Sequence, residues 1–443
     1  MPLVPDSVDV PARAGRRARR VSTLASELLG SAILKIAGEI RALTASGRQV
    51  CNLTVGDFSP REFPVPELLV RATQDALANG ETNYPPSSGI PALRDAVRSF
   101  TREWLGLDFP AESVLVTGGA RPALYAAYRT LVDPGDRVVY PVPSWNNPYY
   151  VQLIGAQGVP VVCEAATSFL PTRTMLEPVI RGARLLVVNS PLNPAGSVLD
   201  AAALGEICDL VLEENARRGP DERPLYLLYD QIYWMLTFGD RAHVTPAGLR
   251  PEIAPYVVLV DGISKAFAAT GLRVGWALGP ADVIGPMSDL VGHVGAWAPR
   301  PEQVATAKLL ASRQAITDYH RTMKHEVQRR LGALYDGIMA MKQRGLAVDA
   351  VPPAGAIYLS ARFNVRGMRT PDGEVLRDNE AIRRYLLTAA DFAAVPFQAF
   401  GVEADTGWFR LSVGAVSLAD ITAVLPKVSA ALEKLTGTPE ARG

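Results

Sequence analysis

Short apolar segments rich in β-branched residues alternate with helical patterns between about residues 112 and 280. Five of these segments have the length and composition of buried strands, namely 113–117, 137–140, 183–189, 225–229 and 256–260. Strands that alternate with helices usually pair in parallel, and the helices then cover both faces of the sheet. The chain is therefore predicted to be an α/β protein whose large domain has a mostly parallel central sheet flanked by helices.

One of the intervening helices is marked by its first residue and by its apolar face. Asp200 can cap the first turn, and apolar side chains recur at helical spacing at Leu204, Cys208 and Leu212. Cys208 is therefore expected in the core.

The pattern changes after Pro301. A long helical stretch is predicted from there to about Arg344, followed by new strands and a last helix over 421–435. These elements predict a second, smaller C-terminal α+β domain. We divide the chain into a flexible N-terminal arm (1–30), an N-terminal segment that packs on the small domain (31–60), a large cofactor-binding domain (61–320) and the small domain (321–443).

The charge balance restricts the class of partner. Lysine plus arginine and aspartate plus glutamate number 45 each among 443 residues, so no net field favours nucleic acid or an anionic membrane. No stretch is apolar for long enough to span a bilayer. Cys51, Cys163 and Cys208 lie far apart among mostly apolar residues, which favours reduced core thiols in a cytoplasmic protein over a disulfide framework or a metal site. A small-molecule partner is expected.

The most informative stretch reads Asp261-Gly-Ile-Ser-Lys265-Ala-Phe-Ala-Ala-Thr-Gly-Leu-Arg273-Val-Gly275. It places a lysine just after an apolar strand, where the side chain would face a cleft. This stretch resembles the cofactor-lysine signature of the class I/II aminotransferases, the aspartate aminotransferase-like family of fold-type I pyridoxal-phosphate enzymes. The resemblance implies pyridoxal 5′-phosphate as the cofactor and Lys265 as the residue that carries it.

The residue types in this stretch suit that chemistry. A lysine amine is a nucleophile only when unprotonated, and burial beside cationic groups lowers its pKa so that this form is populated. Arg273 and the Ser264 hydroxyl can donate charge-assisted and neutral hydrogen bonds to a phosphate. Lys265 is thus the predicted catalytic residue, and Ser264 and Arg273 are predicted to bind the cofactor.

A carboxylate follows the strand upstream of this lysine. Segment 225–229 is apolar and leads into Asp230-Gln-Ile-Tyr233, and a buried carboxylate is costly unless a positive group meets it. In the family, this aspartate pairs with the protonated pyridine nitrogen, and the tyrosine hydrogen-bonds the phenolic oxygen of the ring. The resemblance assigns these roles to Asp230 and Tyr233. Gln231, where many relatives have glutamate, should point away from the site.

Two loops resemble other cofactor-binding segments of the family. In Asn189-Ser-Pro-Leu-Asn193-Pro-Ala-Gly196, Asn193 matches the asparagine that donates to the same phenolic oxygen. Gly119 and Ala120 stand between a strand and a helix that begins near Pro122, where backbone N–H groups at the helix start can hold an anion. They resemble the phosphate cradle of the family.

Two aromatic residues and a glycine extend the resemblance. Trp145 matches the aromatic residue that stacks on the cofactor ring, whereas Pro148 stands where some relatives have a histidine that touches the ring-nitrogen aspartate. Tyr84 matches the tyrosine that reaches the phosphate of the neighbouring subunit, which implies a homodimer with shared sites. Gly56 matches the glycine that approaches the substrate closely.

An arginine is expected to bind the substrate. Arg410, within Gly407-Trp-Phe-Arg410-Leu-Ser-Val-Gly414, lies on a predicted strand of the small domain and matches the α-carboxylate clamp of the family. A planar guanidinium binds a carboxylate through two parallel hydrogen bonds. Arg410, Gly56 and Asn193 are therefore the predicted substrate-binding residues.

Together the motifs imply an aminotransferase that moves an amino group between an L-amino acid and a 2-oxo acid. The sequence leaves the donor open: aspartate or glutamate is the commonest expectation for the family, with aromatic or other neutral amino acids close behind. Relatives that prefer dicarboxylic substrates often present a second arginine just before residue 299, but this chain has none there. Arg300 and Arg121 are the candidates that remain.

Two alternatives share parts of this pattern. A lyase, a decarboxylase or a cyclopropane-forming synthase could use the same cofactor and scaffold, because a shared site does not fix which bond breaks. A non-catalytic sensor of amino acids or cofactor could also use this domain. Such regulators carry an added DNA-binding domain, and the residues before Leu24 are too few for one. We expect the basic run from Arg13 to Arg20 to be a solvated part of the arm.

Overall fold

The computed structural model describes residues 21–28, 30 and 32–440. The chain up to residue 30 is a unit of its own, and the described residues of this unit include a short helix, α1 (Thr23–Glu27). The Ser22 hydroxyl caps this helix by accepting a hydrogen bond of 3.2 Å from the Ala25 N–H. The basic run of the predicted arm lies outside the described residues.

The remainder of the chain is a second unit of α-helices and β-strands. Its helices are α2 (Ala32–Ala45), α3 (Glu67–Ala78), α4 (Pro91–Leu105), α5 (Ala120–Leu131), α6 (Asn147–Ile154), α7 (Arg173–Ile180), α8 (Ala201–Ala216), α9 (Pro246–Leu249), α10 (Ile263–Ala266), α11 (Ala281–Val294), α12 (Arg300–Leu310), α13 (Arg313–Gln343), α14 (Asn379–Ala390) and α15 (Leu418–Glu433). Its strands are β1 (Cys51–Asn52), β2 (Val114–Thr117), β3 (Arg137–Val142), β4 (Gln157–Val162), β5 (Ala183–Asn189), β6 (Tyr226–Asp230), β7 (Val257–Gly262), β8 (Gly275–Leu278), β9 (Val348–Ala350), β10 (Tyr358–Phe363), β11 (Phe392–Ala393), β12 (Val395–Pro396) and β13 (Trp408–Ser412).

A seven-stranded sheet forms the centre of the large domain, in the order β2-β8-β7-β6-β5-β3-β4. Strand β8 is antiparallel to both of its neighbours and the other pairs are parallel, so the predicted, mostly parallel sheet is confirmed. All five predicted strands are present. The prediction missed β4 and β8; β4 is an edge strand with several exposed residues.

Apolar cores lie against both faces of this sheet. Side chains alternate along β6, so Leu228 enters the core beneath α5 and α11, and Tyr229 enters the core beneath α4, α8 and α12. By the same alternation, Asp230 faces the side of α5. The helices therefore cover both faces of the sheet, as the alternating pattern predicts.

The parallel strands end at one edge of the sheet. Asn189, the last residue of β5, pairs with Asp230, and Asp230 pairs with Val260 near the end of β7. The loops that carry Asn193, Asp230 and Lys265 therefore leave the sheet side by side, which is where α/β sheets place their ligands.

The predicted helices are present with adjusted ends. Asp200 caps α8 by accepting a hydrogen bond of 2.9 Å from the Ala203 N–H, and Cys208 is fully buried, as predicted. The helical stretch predicted after Pro301 is divided into α12 and α13. Ser312 separates the two, because its hydroxyl caps α13 by accepting from the Ala315 N–H.

A smaller antiparallel sheet, in the order β12-β13-β10-β9, forms the predicted C-terminal domain. It shares an apolar core with α13, α14 and α15. The N-terminal segment joins this part of the chain, because β1 pairs in parallel with β11 and the Arg48 Nε donates to Asp391 at 2.7 Å.

We propose that the large domain is 61–320 and the small domain 321–443, with 31–60 as the segment that packs on the small domain. Helix α13 supports the boundary. Ile316 belongs to the core of the central sheet, whereas Met323, two turns further along, belongs to the core of the smaller sheet.

Cys51, Cys163 and Cys208 are free and buried. Within the described part of the chain, no helix is long and apolar enough to cross a membrane, and no cluster of three or more His, Cys, Asp or Glu side chains could hold a metal ion.

Candidate active site

Lys265 lies at the carboxyl end of the central sheet, in α10. Its Nζ donates a hydrogen bond of 2.6 Å to the Gly56 carbonyl and lies 5.8 Å from the centre of the Tyr233 ring. Burial lowers the pKa of this amine from 10.5 to about 8; the Asp57 carboxylate opposes the decrease, and nearby arginines add to it. A sizeable fraction of the amine is therefore neutral near physiological pH, as a nucleophile requires.

Asp230 is a buried carboxylate that forms no ion pair with the described residues. Its Oδ1 accepts a hydrogen bond of 3.1 Å from the Ile232 N–H, and no other group in residues 32–440 donates to this carboxylate. Burial raises the pKa of Asp230 to about 6, although that hydrogen bond and the positive charge of Lys265 act against the increase. A positive group placed against Asp230 would stabilise the carboxylate.

Tyr233 and Arg410 meet around a second tyrosine, Tyr358. The hydroxyls of Tyr233 and Tyr358 lie 2.5 Å apart. The Arg410 guanidinium lies 4.8 Å from the centre of the Tyr358 ring and donates to the Asn193 side-chain oxygen at 3.2 Å and to the Thr54 carbonyl at 2.5 Å. Arg410 is only 1% exposed, and among the described residues it pairs with no carboxylate and its Nε has no hydrogen-bond partner. The site thus contains an unmatched buried cation.

The loop after β5 holds Asn193 in place. The Asn193 N–H donates to the Asn189 side-chain oxygen at 2.8 Å, and the Asn189 amide donates to the Asp230 carbonyl at 2.8 Å. Gly196 ends the loop with φ of 75°, and a Cβ there would overlap the Tyr358 carbonyl. A glycine is required at this position because the loop passes directly against β10.

Gly119 and Arg273 form a cationic recess at the start of α5. Gly119 has φ of 91°, and a Cβ there would overlap the Arg273 guanidinium. Two carbonyls hold that guanidinium, Thr270 at 2.7 Å and Gly118 at 3.0 Å. The first N–H groups of a helix have no partner within it, so a cation beside the Ala120 end of α5 makes a suitable position for a phosphate.

Trp145 faces Arg121 across the same region. The Arg121 guanidinium lies 4.9 Å from the centre of the Trp145 ring. Arg121 is exposed and pairs with no carboxylate in the part of the chain that the structure describes, and its charge helps to lower the pKa of Lys265. Ser264 is buried in α10, beside Lys265.

Comparison with known proteins decides the family of this chain. The model of a family described as aminotransferase class I and II matches residues 48–428. The chain belongs to this family.

Similar proteins agree over nearly the whole length of this aminotransferase. The aspartate aminotransferase of Rhizobium meliloti (strain 1021) is 31% identical over 411 residues, covering 92% of this chain and 94% of that protein. That of Geobacillus stearothermophilus is 33% identical over 396 residues, covering 87% and 91%. The crystal structure of the aspartate aminotransferase from Rhizobium meliloti superposes with a TM-score of 0.85 at 29% identity and covers 94% of this chain and 100% of that one. An aromatic aminotransferase from Pyrococcus horikoshii OT3 superposes with a TM-score of 0.78 at 25% identity, covering 90% and 98%.

The protein is therefore a pyridoxal-phosphate-dependent aminotransferase that transfers an amino group between an amino acid and a 2-oxo acid. The predicted family, fold class, enzyme class and cofactor are confirmed. The comparisons do not favour a lyase, a decarboxylase, a cyclopropane-forming synthase or a sensor.

The side chains of this aminotransferase fit the cofactor. The cation-free carboxylate of Asp230 matches a protonated pyridine nitrogen, and the recess between Arg273 and the start of α5 matches a phosphate. The depressed pKa of Lys265 suits covalent attachment of an aldehyde. The buried Arg410 guanidinium, which pairs with no carboxylate among the described residues, has the chemistry to bind one.

Two residues close to Lys265 received no role from the sequence. Tyr358 contacts Tyr233 and Arg410, but its strand lies in the small domain and carries no local signal of its position. Asp57 accepts a hydrogen bond of 2.6 Å from the Thr270 hydroxyl, and its charge raises the pKa of Lys265.

Asp261 is a third unassigned residue, although it begins the lysine signature. It is 3% exposed and accepts hydrogen bonds of 2.7 Å from the Trp234 Nε1 and of 2.7 Å from the Gly262 N–H. Burial raises its pKa to about 7. By strand alternation Asp261 lies on the face of the sheet opposite to Asp230. It therefore links the turn that carries Lys265 to the turn after β6.

Gln231 and Tyr84 lie apart from these contacts. The Gln231 side chain is fully buried, with its Oε1 3.3 Å from the His243 Nε2. Tyr84 is 84% exposed and packs edge-to-face on Trp297 at 5.6 Å. Among the described residues of this chain, no hydrogen bond or ring contact joins Tyr84 to Lys265.

Proposed function

We propose that the aminotransferase takes an acidic amino acid, aspartate or glutamate, as its amino donor. One observation carries the proposal: Arg410 and Arg121 both lack a carboxylate within the described chain, and both lie close enough to Lys265 to lower its pKa. A dicarboxylic substrate offers a carboxylate to each guanidinium. Arg300, the other candidate from the sequence, is already paired with Glu81 at 2.5 Å. The aspartate aminotransferases among the relatives agree with this donor class.

The roles of the cofactor-binding residues follow from the same geometry. Asp230 would pair with the ring nitrogen and keep it protonated, while Tyr233 and Asn193 would donate to the phenolic oxygen. Trp145 would pack on the ring. The phosphate would be held by Gly119, Ala120, Ser264 and Arg273, together with Tyr84 from a neighbouring subunit.

Lys265 would move the proton in the reaction. When bound, pyridoxal phosphate supplies an electron sink for the electron pair left on the substrate Cα. The incoming amino group frees Lys265, whose Nζ then takes the Cα proton and donates it again later in the reaction. Arg410 would hold the α-carboxylate, and the close approach of Gly56 would confine the substrate beside this amine. General acid–base catalysis of this kind contributes roughly a hundred- to ten-thousandfold.

The Lys265→Ala variant tests this assignment. We expect steady-state transamination to be lost while the variant still binds the cofactor without a covalent bond, measured by fluorescence titration. Retained turnover in the variant would reject Lys265 as the catalytic residue.

A panel of amino donors tests the substrate class. Aspartate and glutamate should change the absorption of the bound cofactor in the absence of any oxo acid, and aromatic donors should do so more slowly. Arg121→Gln should lower kcat/KM for aspartate relative to kcat/KM for phenylalanine by roughly tenfold or more, since only aspartate loses a charge-assisted contact. Arg300→Gln is the matched control. A preference for aromatic donors, or an equal loss for every donor, would contradict the role of Arg121.

We propose that the enzyme is a homodimer in which Tyr84 completes the neighbouring site. The support is the exposure of Tyr84, which packs on the half-buried Trp297 at a surface apart from Lys265. Mixing the inactive Lys265→Ala variant with Tyr84→Phe tests this arrangement. If Tyr84 acts across the dimer, each mixed dimer contains one intact site. Turnover per subunit that retains Lys265 should then rise above the turnover of Tyr84→Phe alone. If Tyr84 acts within its own chain, mixing should give no increase.

We also propose a cytoplasmic location. Three buried cysteines remain free, which is typical of proteins in a reducing compartment. Cell fractionation tests it, and recovery of the protein outside the cytoplasm would contradict it.

A further inference from the structure

A cavity of about 380 Å³ opens at the end of the central sheet opposite to Lys265. Asp136 immediately precedes β3, and Ala183 is the first residue of β5; both line this cavity. Asn189 and Asp230, at the other ends of β5 and β6, belong to the active site. Strand β5 has 7 residues, so the two sites lie about 20 Å apart at roughly 3.3 Å per residue. The cavity is therefore separate from the catalytic site.

Arginines dominate the lining of this cavity. They outnumber the carboxylates by two: Arg181, Arg184, Arg217, Arg218 and Arg223 against Asp136, Glu214 and Glu222. Two of these arginines form ion pairs with carboxylates of the lining. Arg218 pairs with Glu214 at 2.9 Å, and Arg223 pairs with Asp136 and with the neighbouring Asp133, each at 2.6 Å. Three arginines, Arg181, Arg184 and Arg217, and one carboxylate, Glu222, then remain in the lining.

Two of these three arginines have weak partners or none. The nearest carboxylate oxygens to Arg217 belong to Glu214, at 3.9 Å, and Glu213, at 4.0 Å, which is too far for a hydrogen bond. The Arg181 side chain makes no ion pair or hydrogen bond with any residue in the described ranges. Both arginines are exposed at the cavity.

Arg184 is the third and the most constrained. It donates to the Pro224 carbonyl and lies 5.2 Å from the centre of the Tyr226 ring. Its Nε is buried and has no hydrogen-bond partner among the described residues. Burial lowers the pKa of Arg184, and the charges of Arg223 and Arg218 add to that decrease. A buried donor without an acceptor, repelled by its neighbours, is costly unless an anion joins it.

We propose that this cavity binds a small molecule through a phosphate group. A phosphate offers several oxygens to the exposed guanidiniums of Arg181 and Arg217, neither of which is hydrogen-bonded to a carboxylate among the described residues. The volume is larger than one phosphate ion needs and lies within the range of sites for small metabolites, roughly 300–1,000 Å³. The remainder of the ligand would occupy that space.

Calorimetric titration of the holoenzyme with inorganic pyrophosphate tests the proposal. The active-site phosphate position is already filled in the holoenzyme, so pyrophosphate should report on the cavity. We expect saturable binding of one pyrophosphate per chain that weakens as salt is added. Arg184→Gln and Arg217→Gln should each weaken binding by roughly tenfold or more. Arg321→Gln is the matched control, because Arg321 is an exposed arginine that pairs with Asp318 on α13.

Two cavity variants are used so that the test does not depend on one variant that could misfold. Arg184 is partly buried and its replacement could disturb β5, whereas Arg217 is exposed at the end of α8 and is only loosely paired. All three variants should keep wild-type transamination without pyrophosphate. Absence of saturable binding to the wild type, or wild-type affinity in Arg217→Gln, would overturn the proposal and leave the cavity as an ion-pair network.

Discussion

Two substitutions beside Lys265 should move the pKa of its amine in opposite directions. Burial sets the low value of about 8, Asp57 raises it, and the charges of Arg410, Arg121 and Arg273 lower it. Asp57→Asn keeps a hydrogen-bond acceptor for its neighbours but removes the carboxylate that favours the ammonium form, so the pKa should fall below that of the wild type. Arg121→Gln removes a repelling charge, so the pKa should rise.

The size of the effect follows from the pKa values. With a pKa of about 8, about half of the Lys265 amine is neutral at pH 8. With the ordinary value of 10.5, only about 0.3% would be neutral at that pH. The folded site therefore increases the reactive form roughly 150-fold at pH 8, relative to a lysine in water.

Competitive acetylation of the cofactor-free protein measures this pKa directly. The protein is labelled between pH 6 and pH 11, and the peptide that contains Lys265 is quantified by mass spectrometry against the exposed Lys434. Arg321→Gln serves as a charge-matched control and should leave the midpoint unchanged. A wild-type midpoint near 10.5, or shifts of the same sign in Asp57→Asn and Arg121→Gln, would refute the reasoning.

Three further predictions concern other parts of the site. Gly119→Ala should weaken cofactor binding roughly tenfold or more in a fluorescence titration, because its Cβ would overlap Arg273 and φ of 91° is strained for a residue other than glycine. Gly271→Ala is the control and should bind the cofactor normally, because a Cβ there meets nothing within 4 Å. Burial raises the pKa of Asp261 to about 7, so the folded protein retains a proton that the unfolded chain loses. Its contribution to the free energy of unfolding should therefore fall by at most about 4 kcal/mol as pH rises from about 4 to 7. Asp261→Asn should flatten the pH dependence of the free energy of unfolding, measured by urea denaturation. If wild type and variant show parallel pH profiles, Asp261 contributes nothing to this dependence. Arg410→Ala should lower kcat/KM on the order of a hundredfold for every donor, and a loss confined to one donor would contradict α-carboxylate binding.

Local patterns in the sequence determined the order of the elements and the family. Residues 185–188 form a continuous apolar run within 183–189, whose predicted bounds coincide with those of β5. Asp200 marks the start of α8 because a helix cap depends only on the next few residues. The signature around Lys265 is likewise contiguous, and it predicts the cofactor residue without any knowledge of packing. Strand β4 was missed because an edge strand needs no apolar run.

Only the tertiary structure decided what surrounds the amine. The Gly56 carbonyl that accepts from Lys265 is 209 residues away in the chain, and Tyr358 comes from the small domain. The pKa of Lys265 depends on exclusion of water and on the summed charges of side chains from several loops, neither of which a local pattern contains. The arginine-lined cavity also forms only in the tertiary structure, because the starts of β3 and β5 and the end of α8 meet only in the folded sheet. The sequence predicts Lys265 as the catalytic residue, but the environment that lowers the pKa of its amine arises only when distant segments pack together.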